Sequence, residues 1–284
     1  MTSRALLLAG GGLKIAFQAG VLQVWLDELR QTFDQADAVS AATFNLAMIC
    51  SGQDGTTIAD HWRAFRPLRA ISPSARALTG ESLLTLNRLR ANILPTWSLD
   101  WTKINTTPLS ATFNVYNFTK QRVEAIPSEA MTEQLLLAAA SLPTWFPPVT
   151  IDDDTYVDAI HALPTNLPLV LDRGADELWI IWTTSTAGVW RAGYLSQYFQ
   201  IFEEATNSRL RAWLADIEGS NQRHARGEQS AYGRHITVRL LAAEVPLHYL
   251  LNFRRRPFLD AVDLGVRTAR AWSHQHLLYP AGQE

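Results

Sequence analysis

The chain has 284 residues, of which 47% are hydrophobic and only 18% are charged. Such a chain can bury a full core, and its length fits one large α/β domain or two small ones, of which we favour one. The net charge of -2 supplies no basic stripe, so nucleic acid is not an expected partner. A single cysteine, Cys50, cannot form an internal disulfide, which fits a reducing compartment such as the cytoplasm.

The N-terminal apolar run has some features of a signal peptide, but three glycines and Lys14 end it too early. No window reaches the ~18 apolar residues that a membrane-spanning helix needs. We therefore expect a soluble, cytoplasmic protein, which can still touch a membrane surface transiently. The sequence leaves the oligomeric state open.

Strands and helices alternate from the N terminus. Residues 4–9 form a short apolar run closed by glycine, which predicts a strand buried on both faces. Apolar residues then recur at helical spacing over 16–30, and a second strand is predicted at 37–39 before a helix at 43–50. Strand, turn and helix thus occur twice in fifty residues, which indicates the right-handed crossover of an α/β sheet.

The rest of the chain continues this alternation. Residues 56–107 are mostly helical in pattern and are punctuated by prolines, which predicts a helical cap. The later predicted elements are strands at 110–116, 177–184 and 235–241, helices at 131–141, 194–217 and 256–272, and a mobile loop at 218–233. We expect a three-layer α/β sandwich with a central, mainly parallel sheet, a single domain over 1–284, and the cap inserted at about 56–107.

Gly10, Gly11 and Gly12 stand where the first strand ends and the next helix begins. Glycines there let successive backbone N–H groups turn toward one point, and a helix N-terminus adds positive potential. Such a nest binds an anion, either a phosphate or the oxyanion of acyl transfer. Ile15 stands where a dinucleotide fingerprint needs glycine, and Lys14 is not followed by Ser or Thr as in a P-loop. Both phosphate interpretations fail on spacing.

Ser40 lies between a short strand and an apolar helix, in the pentapeptide at 38–42. A serine on a tight strand-to-helix turn has its hydroxyl pushed out of the backbone path, which suits a nucleophile. The alternative is an alanine-rich helix start with Ser40 as its N-cap.

Asp158 follows a short strand and precedes an apolar stretch, so at least partial burial is expected. A carboxylate at the end of a buried strand needs a partner, and a serine hydroxyl is a suitable one. The three preceding acids, at 152–154, are interpreted as a solvated turn.

Together these three elements resemble the patatin-like phospholipase family, whose members carry a Gly-Gly-Gly-x-Lys/Arg-Gly loop, a Gly-x-Ser-x-Gly elbow with a downstream asparagine, and a later Asp-Gly-Gly/Ala segment. The stretch from Gly10 to Lys14 matches the loop, Asn45 stands five residues after Ser40, and Asp158 falls where the acid belongs. Segments at 139–149, 166–168 and 174–177 resemble what surrounds that acid in the family. The resemblance extends in weaker form to the C-terminal helix.

The resemblance implies a serine acyl hydrolase that acts on lipid or other acyl esters through a Ser40–Asp158 dyad, without a histidine, a metal or a cofactor. Asp158 would take the proton from Ser40. The loop at Gly10, Gly11, Gly12 and Leu13 would form the oxyanion hole. Lys14 would orient this loop or add positive charge near it, and Asn45 would support the site.

Four positions depart from the family pattern: Ile15, Ala38, Ala42 and Ala159 stand where glycine is usual. Forcing alanine into glycine-only backbone geometry costs on the order of 1–3 kcal/mol. These departures favour an alternative, a catalytically weak or inactive binding or regulatory relative. Acyl transfer to an acceptor other than water is a further alternative.

Histidines supply the main rival chemistry, because a Ser-Asp-His hydrolase needs one downstream of the acid. His161, His235 and His248 qualify by position, and His161 lies nearest to Asp158. Structural or exposed roles are commoner for such residues. No histidine and cysteine cluster has the spacing of a zinc site.

Overall fold

The computed structural model describes residues 2–75 and 77–278. Its strands are β1 (Arg4–Leu8), β2 (Gln35–Val39), β3 (Ser72–Pro73), β4 (Leu84–Thr85), β5 (Ser110–Asn117), β6 (Arg122–Pro127), β7 (Val149–Ile151), β8 (Asp154–Asp158), β9 (Glu177–Trp182) and β10 (Thr237–Ala242).

The α-helices within these described ranges lie between or after the strands. They are α1 (Ile15–Leu22), which continues as wider π turns over Gln23–Glu28, α2 (Ala42–Cys50), α3 (Gly55–Ala64), α4 (Pro67–Ala70), α5 (Asn87–Asn92), α6 (Leu94–Trp97), α7 (Trp101–Thr106), α8 (Glu133–Ala139), α9 (Leu167–Asp172), α10 (Tyr194–Ala225) and α11 (Arg256–Ser273).

One mixed sheet forms the centre of the molecule, with the strand order β10, β9, β1, β2, β5, β8, β7. The first five strands in this order are mutually parallel. Strands β6 and β8 both pair antiparallel with β5, and β7 pairs antiparallel with β8. The predicted α/β class with a mainly parallel sheet is confirmed.

Two hydrophobic clusters cover the two faces of this sheet. Along β1, Leu6 and Leu8 face the cluster that contains α1, α2 and α11, whereas Ala5 and Leu7 face the cluster that contains α9 and α10. Because both faces are covered, β1 is an almost uninterrupted apolar run instead of an alternating one. The arrangement is the expected three-layer sandwich.

The first and last helices pack directly on each other. A Cβ atom at Gly20 of α1 would lie 2.0 Å from the carbonyl oxygen of Val262, and one at Gly265 of α11 would lie 2.2 Å from that of Phe17. Only glycine allows the two backbones to approach so closely. The C-terminal helix is therefore part of the same packed layer as the N-terminal one.

Strand pairing brings the ends of three strands together. β1 and β2 are parallel neighbours, so the turns that follow them leave the sheet side by side. Val39 lies opposite Asn114 of β5, and Val115 lies opposite Asp158 at the end of β8. Ligand sites of parallel α/β sheets lie at this edge, beyond the carboxyl ends of the strands.

Residues 55–106, which we call the covering segment, lie between α2 and β5. The segment comprises helices α3 to α7 and the two-stranded β3–β4 hairpin. The sequence predicted a mostly helical stretch here, and the hairpin was not foreseen.

The structure also differs from the sequence-based expectations at α10 and at β6. The loop predicted at 218–233 begins later, because α10 continues to Ala225. The side chain of Asn221 holds this extension, since its amide exchanges two hydrogen bonds of 2.8 Å with the backbone of Ile236. The edge strand β6 was not predicted, because its residues alternate weakly and are only half-buried.

No α-helix within 2–75 and 77–278 combines the length and apolar character needed to cross a bilayer.

Candidate active site

Ser40 occupies the turn between β2 and α2 with a left-handed backbone, at φ 61°. This conformation is uncommon for a residue other than glycine and costs of order 1–3 kcal/mol, so the surrounding packing must hold it. The cap residue of α2 is Ala41, and no side chain caps the helix. The interpretation of Ser40 as an N-cap is therefore wrong, because its hydroxyl is engaged elsewhere.

That hydroxyl donates a 2.5 Å hydrogen bond to Oδ2 of Asp158, across 118 residues of sequence. The other carboxylate oxygen of Asp158 accepts from the backbone N–H of Ile160 at 2.9 Å. Ser40 is 6% exposed and Asp158 3% exposed. Burial raises the pKa of Asp158 to about 7, although the bonds from Ser40 and Ile160 oppose the shift.

The glycine loop passes directly over Ser40. A Cβ atom on Gly10 would lie 2.9 Å from the Cβ of Ser40, and one on Gly11 would lie 2.1 Å from Oγ1 of Thr183. Gly11 and Gly12 line the same cavity as Ser40. The loop is therefore close enough to Ser40 for its backbone to contact the same bound group.

The amides of this loop are not equally available. Gly10 donates its N–H to the carbonyl of Pro164 at 3.2 Å, and Leu13 donates to the carbonyl of Tyr249 at 2.6 Å. No hydrogen bond joins the N–H of Gly11 or Gly12 to any other residue that the structure describes. Of the four predicted residues, Gly10 and Leu13 thus donate to protein carbonyls, whereas the N–H groups of Gly11 and Gly12 are open to a bound group.

Tyr249 holds the loop from behind. Its carbonyl oxygen accepts from Leu13 and would lie 2.2 Å from a Cβ on Gly12, whose φ is +55°. Its hydroxyl donates to Glu203 at 2.9 Å and accepts from the N–H of Ser185 at 3.1 Å. These bonds fix the side chain and thereby the position of the loop.

Lys14 is buried beside this tyrosine, with Nζ 4.1 Å from the centre of the Tyr249 ring. Burial lowers its pKa, while the carboxylates of Glu203 and Glu244 oppose the shift. Lys14 does not line the cavity that contains Ser40. Of the two predicted roles, orientation of the loop fits this placement better than a charge within the site.

Asn45 braces the loop from the opposite side. Its Nδ2 donates to the carbonyl of Ile15 at 3.2 Å and to Gln18 at 3.3 Å, and Gln18 in turn donates to the carbonyl of Ala9 at 2.6 Å. The indole N–H of Trp62 donates to Oδ1 of Asn45 at 2.7 Å. A fully buried chain of amides therefore connects α2 with both ends of the glycine loop.

A cavity of about 70 Å³ opens above Ser40 and Asp158. Its wall is mostly apolar, and much of it comes from the covering segment: Trp62, Phe65, Ile71, Leu86 and Leu89. The arrangement can therefore hold an apolar group against a serine hydroxyl that is hydrogen-bonded to a carboxyl group.

A sequence model of the patatin-like phospholipase family matches residues 6–168, which is more than half of the chain. The chain belongs to the patatin-like phospholipase family. Membership implies hydrolysis of lipid acyl esters as the general chemistry. Among curated proteins, none matches this sequence. Among solved structures, VipD from Legionella pneumophila superposes with a TM-score of 0.43 at 13% sequence identity, over 95% of this chain and 67% of that one.

The departures from the patatin-like pattern do not strain the backbone. Ile15, Ala38, Ala42 and Ala159 are all fully buried, and none of them has a positive φ. The expected strain at these positions is therefore absent. The left-handed backbone conformation of this turn is instead adopted by Ser40, at a position where the family pattern also has serine and not glycine.

The three candidate histidines lie in different places. His161 lines the cavity and its Nε2 is 3.1 Å from the hydroxyl of Tyr198, and partial burial of the ring lowers its pKa. Nδ1 of His248 accepts from the backbone N–H of Leu250 and of Leu251. His235 does not line the cavity. Among the described residues, the partner of Ser40 is Asp158, and no group of three or more potential metal ligands occurs.

Sequence reasoning missed several residues that shape the site. Tyr249 comes from the irregular segment before α11, and Tyr198, Phe199 and Phe202 come from α10. None of them belongs to a motif of recognisable spacing. The only local signal is the aromatic spacing within α10, which by itself indicates core packing.

Proposed function

We propose that this patatin-like protein is a serine acyl hydrolase that cleaves carboxylic esters of lipids with Ser40 as nucleophile and Asp158 as general base. The 2.5 Å bond between Ser40 Oγ and Asp158 Oδ2 is the observation that carries the proposal. It lies within the reach that proton transfer requires. The left-handed turn at Ser40 supports it, because stored backbone strain clusters at catalytic positions.

In the first half of the reaction, Ser40 Oγ bonds to the ester carbonyl carbon while its proton passes to the carboxylate of Asp158. The carbonyl oxygen becomes an oxyanion, which the N–H groups of Gly11 and Gly12 can receive. The bond from carbon to the alcohol oxygen then breaks, and Asp158 returns the proton to that oxygen. The products are a free alcohol and acyl-Ser40.

In the second half, water attacks the acyl carbon and gives a proton to Asp158. The bond to Ser40 Oγ breaks, and the proton returns to this oxygen as the carboxylic acid leaves. One carboxyl group thus serves as base and as acid in both halves. A pKa near neutrality suits this double use, and burial raises the pKa of Asp158 to about 7.

The wall of the cavity supports a lipid acyl group as the bound portion. Apart from Ser40 and Asp158, its side chains are largely aromatic or aliphatic, and His161, Tyr198 and Tyr249 add polar atoms. When an acyl chain binds, its own surface and that of the wall are removed from water. This burial stabilises the complex by about 25 cal/mol for each Å² of apolar area.

Substitution of Ser40 by alanine tests the assignment. We expect hydrolysis of 4-nitrophenyl butanoate to fall by at least about 10⁴-fold, because the nucleophile is lost. A fluorophosphonate probe should label Ser40 in the native chain, as mapped by mass spectrometry. Ser51→Ala is the matched control, since Ser51 is equally buried but accepts a bond from the N–H of Asp100 outside the cavity.

The two alternatives give different results in the same experiment. A catalytically inactive binding protein would show neither turnover nor a label on Ser40, which would overturn the proposal. An acyltransferase would label normally but release acid slowly until an acceptor alcohol was added.

A further inference from the structure

A second cavity, of about 270 Å³, adjoins the one above Ser40. The two share part of their wall, namely Ile160, His161, Tyr198 and Phe202. The second cavity extends beyond them along α10 to Arg209. Its position beside the dyad gives an ester two directions in which to extend from the reacting carbon.

The chemistry of the reaction assigns a direction to each half of the ester. The leaving alcohol oxygen must reach Asp158 to receive its proton. Asp158 lines the first cavity, and Ile160 and His161, which follow it closely in the chain, belong to the shared wall. The N–H of Ile160 is bonded to the carboxylate of Asp158. A path for the alcohol along the shared wall into the second cavity keeps its oxygen near Asp158 and leaves the apolar wall of the covering segment for the acyl group.

Arg209 gives the second cavity its charge. Its guanidinium donates from Nη1 to the carbonyl of Ala162, which tethers it beside the loop after Asp158 but does not neutralise it. Among residues 2–75 and 77–278, no carboxylate lies within ion-pair distance of Arg209. Arg191, in contrast, is paired with Glu203. A cation tethered at a cavity without a carboxylate partner favours a negatively charged occupant.

We propose that the second cavity binds the alcohol portion of the ester and that Arg209 selects alcohols that carry a negative charge. This inference rests on the proposed function of Ser40 and Asp158. It concerns the specificity of the reaction, which the dyad alone does not set.

Two esters of butanoic acid provide the test: the 4-nitrophenyl ester and its analogue with a carboxylate at position 3 of the ring. The measured quantity is kcat/KM for the charged ester divided by kcat/KM for the neutral ester. We expect this ratio to be about 3- to 10-fold higher in the native chain than in Arg209→Gln, a modest effect because Arg209 is exposed to solvent. Arg209→Glu should lower the ratio further. Arg211→Gln is the matched control, since Arg211 lies on the same helix but does not line this cavity.

A binding measurement separates this inference from the proposed function. In a Ser40→Ala background, calorimetry gives the Kd of both esters without turnover, and we expect the charged ester to lose its advantage when Arg209 becomes Gln. An unchanged Kd ratio would overturn the inference even if Ser40 proved to be the nucleophile. A changed Kd ratio would support it even if turnover failed. A monoacylglycerol and its 3-phosphate, compared in the same way, show whether phosphate is recognised as well as carboxylate.

Discussion

Asp158 owes its chemistry to where its side chain lies. A carboxyl group in water ionises near pH 4, but this one is removed from solvent and, from the residues that the structure describes, receives two hydrogen bonds, from Ser40 and Ile160. Desolvation penalises the charged form more than the two bonds favour it, so the pKa rises to about 7. Protonated and ionised forms are therefore both populated at neutral pH.

The pH dependence of turnover follows from this balance. Only ionised Asp158 can accept the proton of Ser40, so we expect kcat/KM to rise from pH 5 to pH 8 with a midpoint of about 7. The rate of fluorophosphonate labelling should follow the same curve, because it needs the same proton transfer. A midpoint near pH 4, or a flat profile between pH 5.5 and pH 8, would contradict the assignment of Asp158 as base.

Among the structural elements, the loop between β1 and α1 depends on contacts from distant parts of the chain. The carbonyl of Tyr249 accepts a hydrogen bond from the N–H of Leu13, and the ammonium group of Lys14 lies over the Tyr249 ring. The side-chain amide of Asn45 donates to the carbonyl of Ile15. The loop also needs a left-handed residue at Gly12. These constraints leave the amides of Gly11 and Gly12 without a protein acceptor among the described residues, which the proposed oxyanion hole requires.

Gly12→Ala should disturb this loop in two ways. The left-handed backbone becomes strained, and the new Cβ would lie 2.2 Å from the carbonyl oxygen of Tyr249. We expect turnover of 4-nitrophenyl butanoate to fall by about 10²–10³-fold, as for loss of one oxyanion donor. Gly174→Ala is the control, since Gly174 also has a positive φ but open space around it. It should keep its turnover, and an equal loss in both variants would contradict the role of the loop.

At the scale of the whole molecule, a second buried carboxyl group connects separate parts of the sheet. Asp37 of β2 accepts from Thr112 and Asn114 of β5 at 2.6 and 2.8 Å, and from the N–H of Asn166 at 3.1 Å. Asn166 also donates to Asn114 at 2.7 Å. Burial nevertheless dominates and raises the pKa of Asp37 to about 6.

This shift predicts how stability changes with pH. A carboxyl group whose pKa is raised on folding stabilises the folded state below its unfolded pKa, and this contribution is lost as pH rises through 6. A shift from 3.8 to about 6 corresponds to a loss on the order of 3 kcal/mol. Asp37→Asn has no carboxyl group at this position and should not show this loss. The Tm of the native chain minus the Tm of Asp37→Asn should therefore decrease from pH 4 to pH 7.

Thermal unfolding followed by circular dichroism at four pH values checks this expectation. Asp153→Asn, at an exposed turn, is the matched control for the loss of one carboxyl group. A Tm difference between the native chain and Asp37→Asn that is constant or grows with pH would contradict the prediction.

Local patterns in the sequence were sufficient to predict most of the architecture. An apolar run closed by glycine identified β1, a strongly apolar run identified β9, and helical spacing identified α1, because burial on one or both faces imposes a pattern that a short window already shows. Turn chemistry and small residues singled out Gly10 to Gly12, Ser40 and Asp158 as candidates. The same local patterns could not show that α10 continues through polar residues to Ala225, where Asn221 binds the backbone of Ile236.

What the sequence determined by itself is most of the strands, helices and turns, and with them the three places where the candidate groups leave the sheet. Only the tertiary structure decided that Ser40 Oγ and Asp158 Oδ2 are 2.5 Å apart, that the carbonyl of Tyr249 accepts from the amide of Leu13, and that Arg209 lines a cavity next to the one above Ser40. Periodicity and turn preference act over a few residues. The bond of Arg209 to Ala162 spans 47 residues and that of Ser40 to Asp158 spans 118, and only the packing of the whole chain brings such segments together.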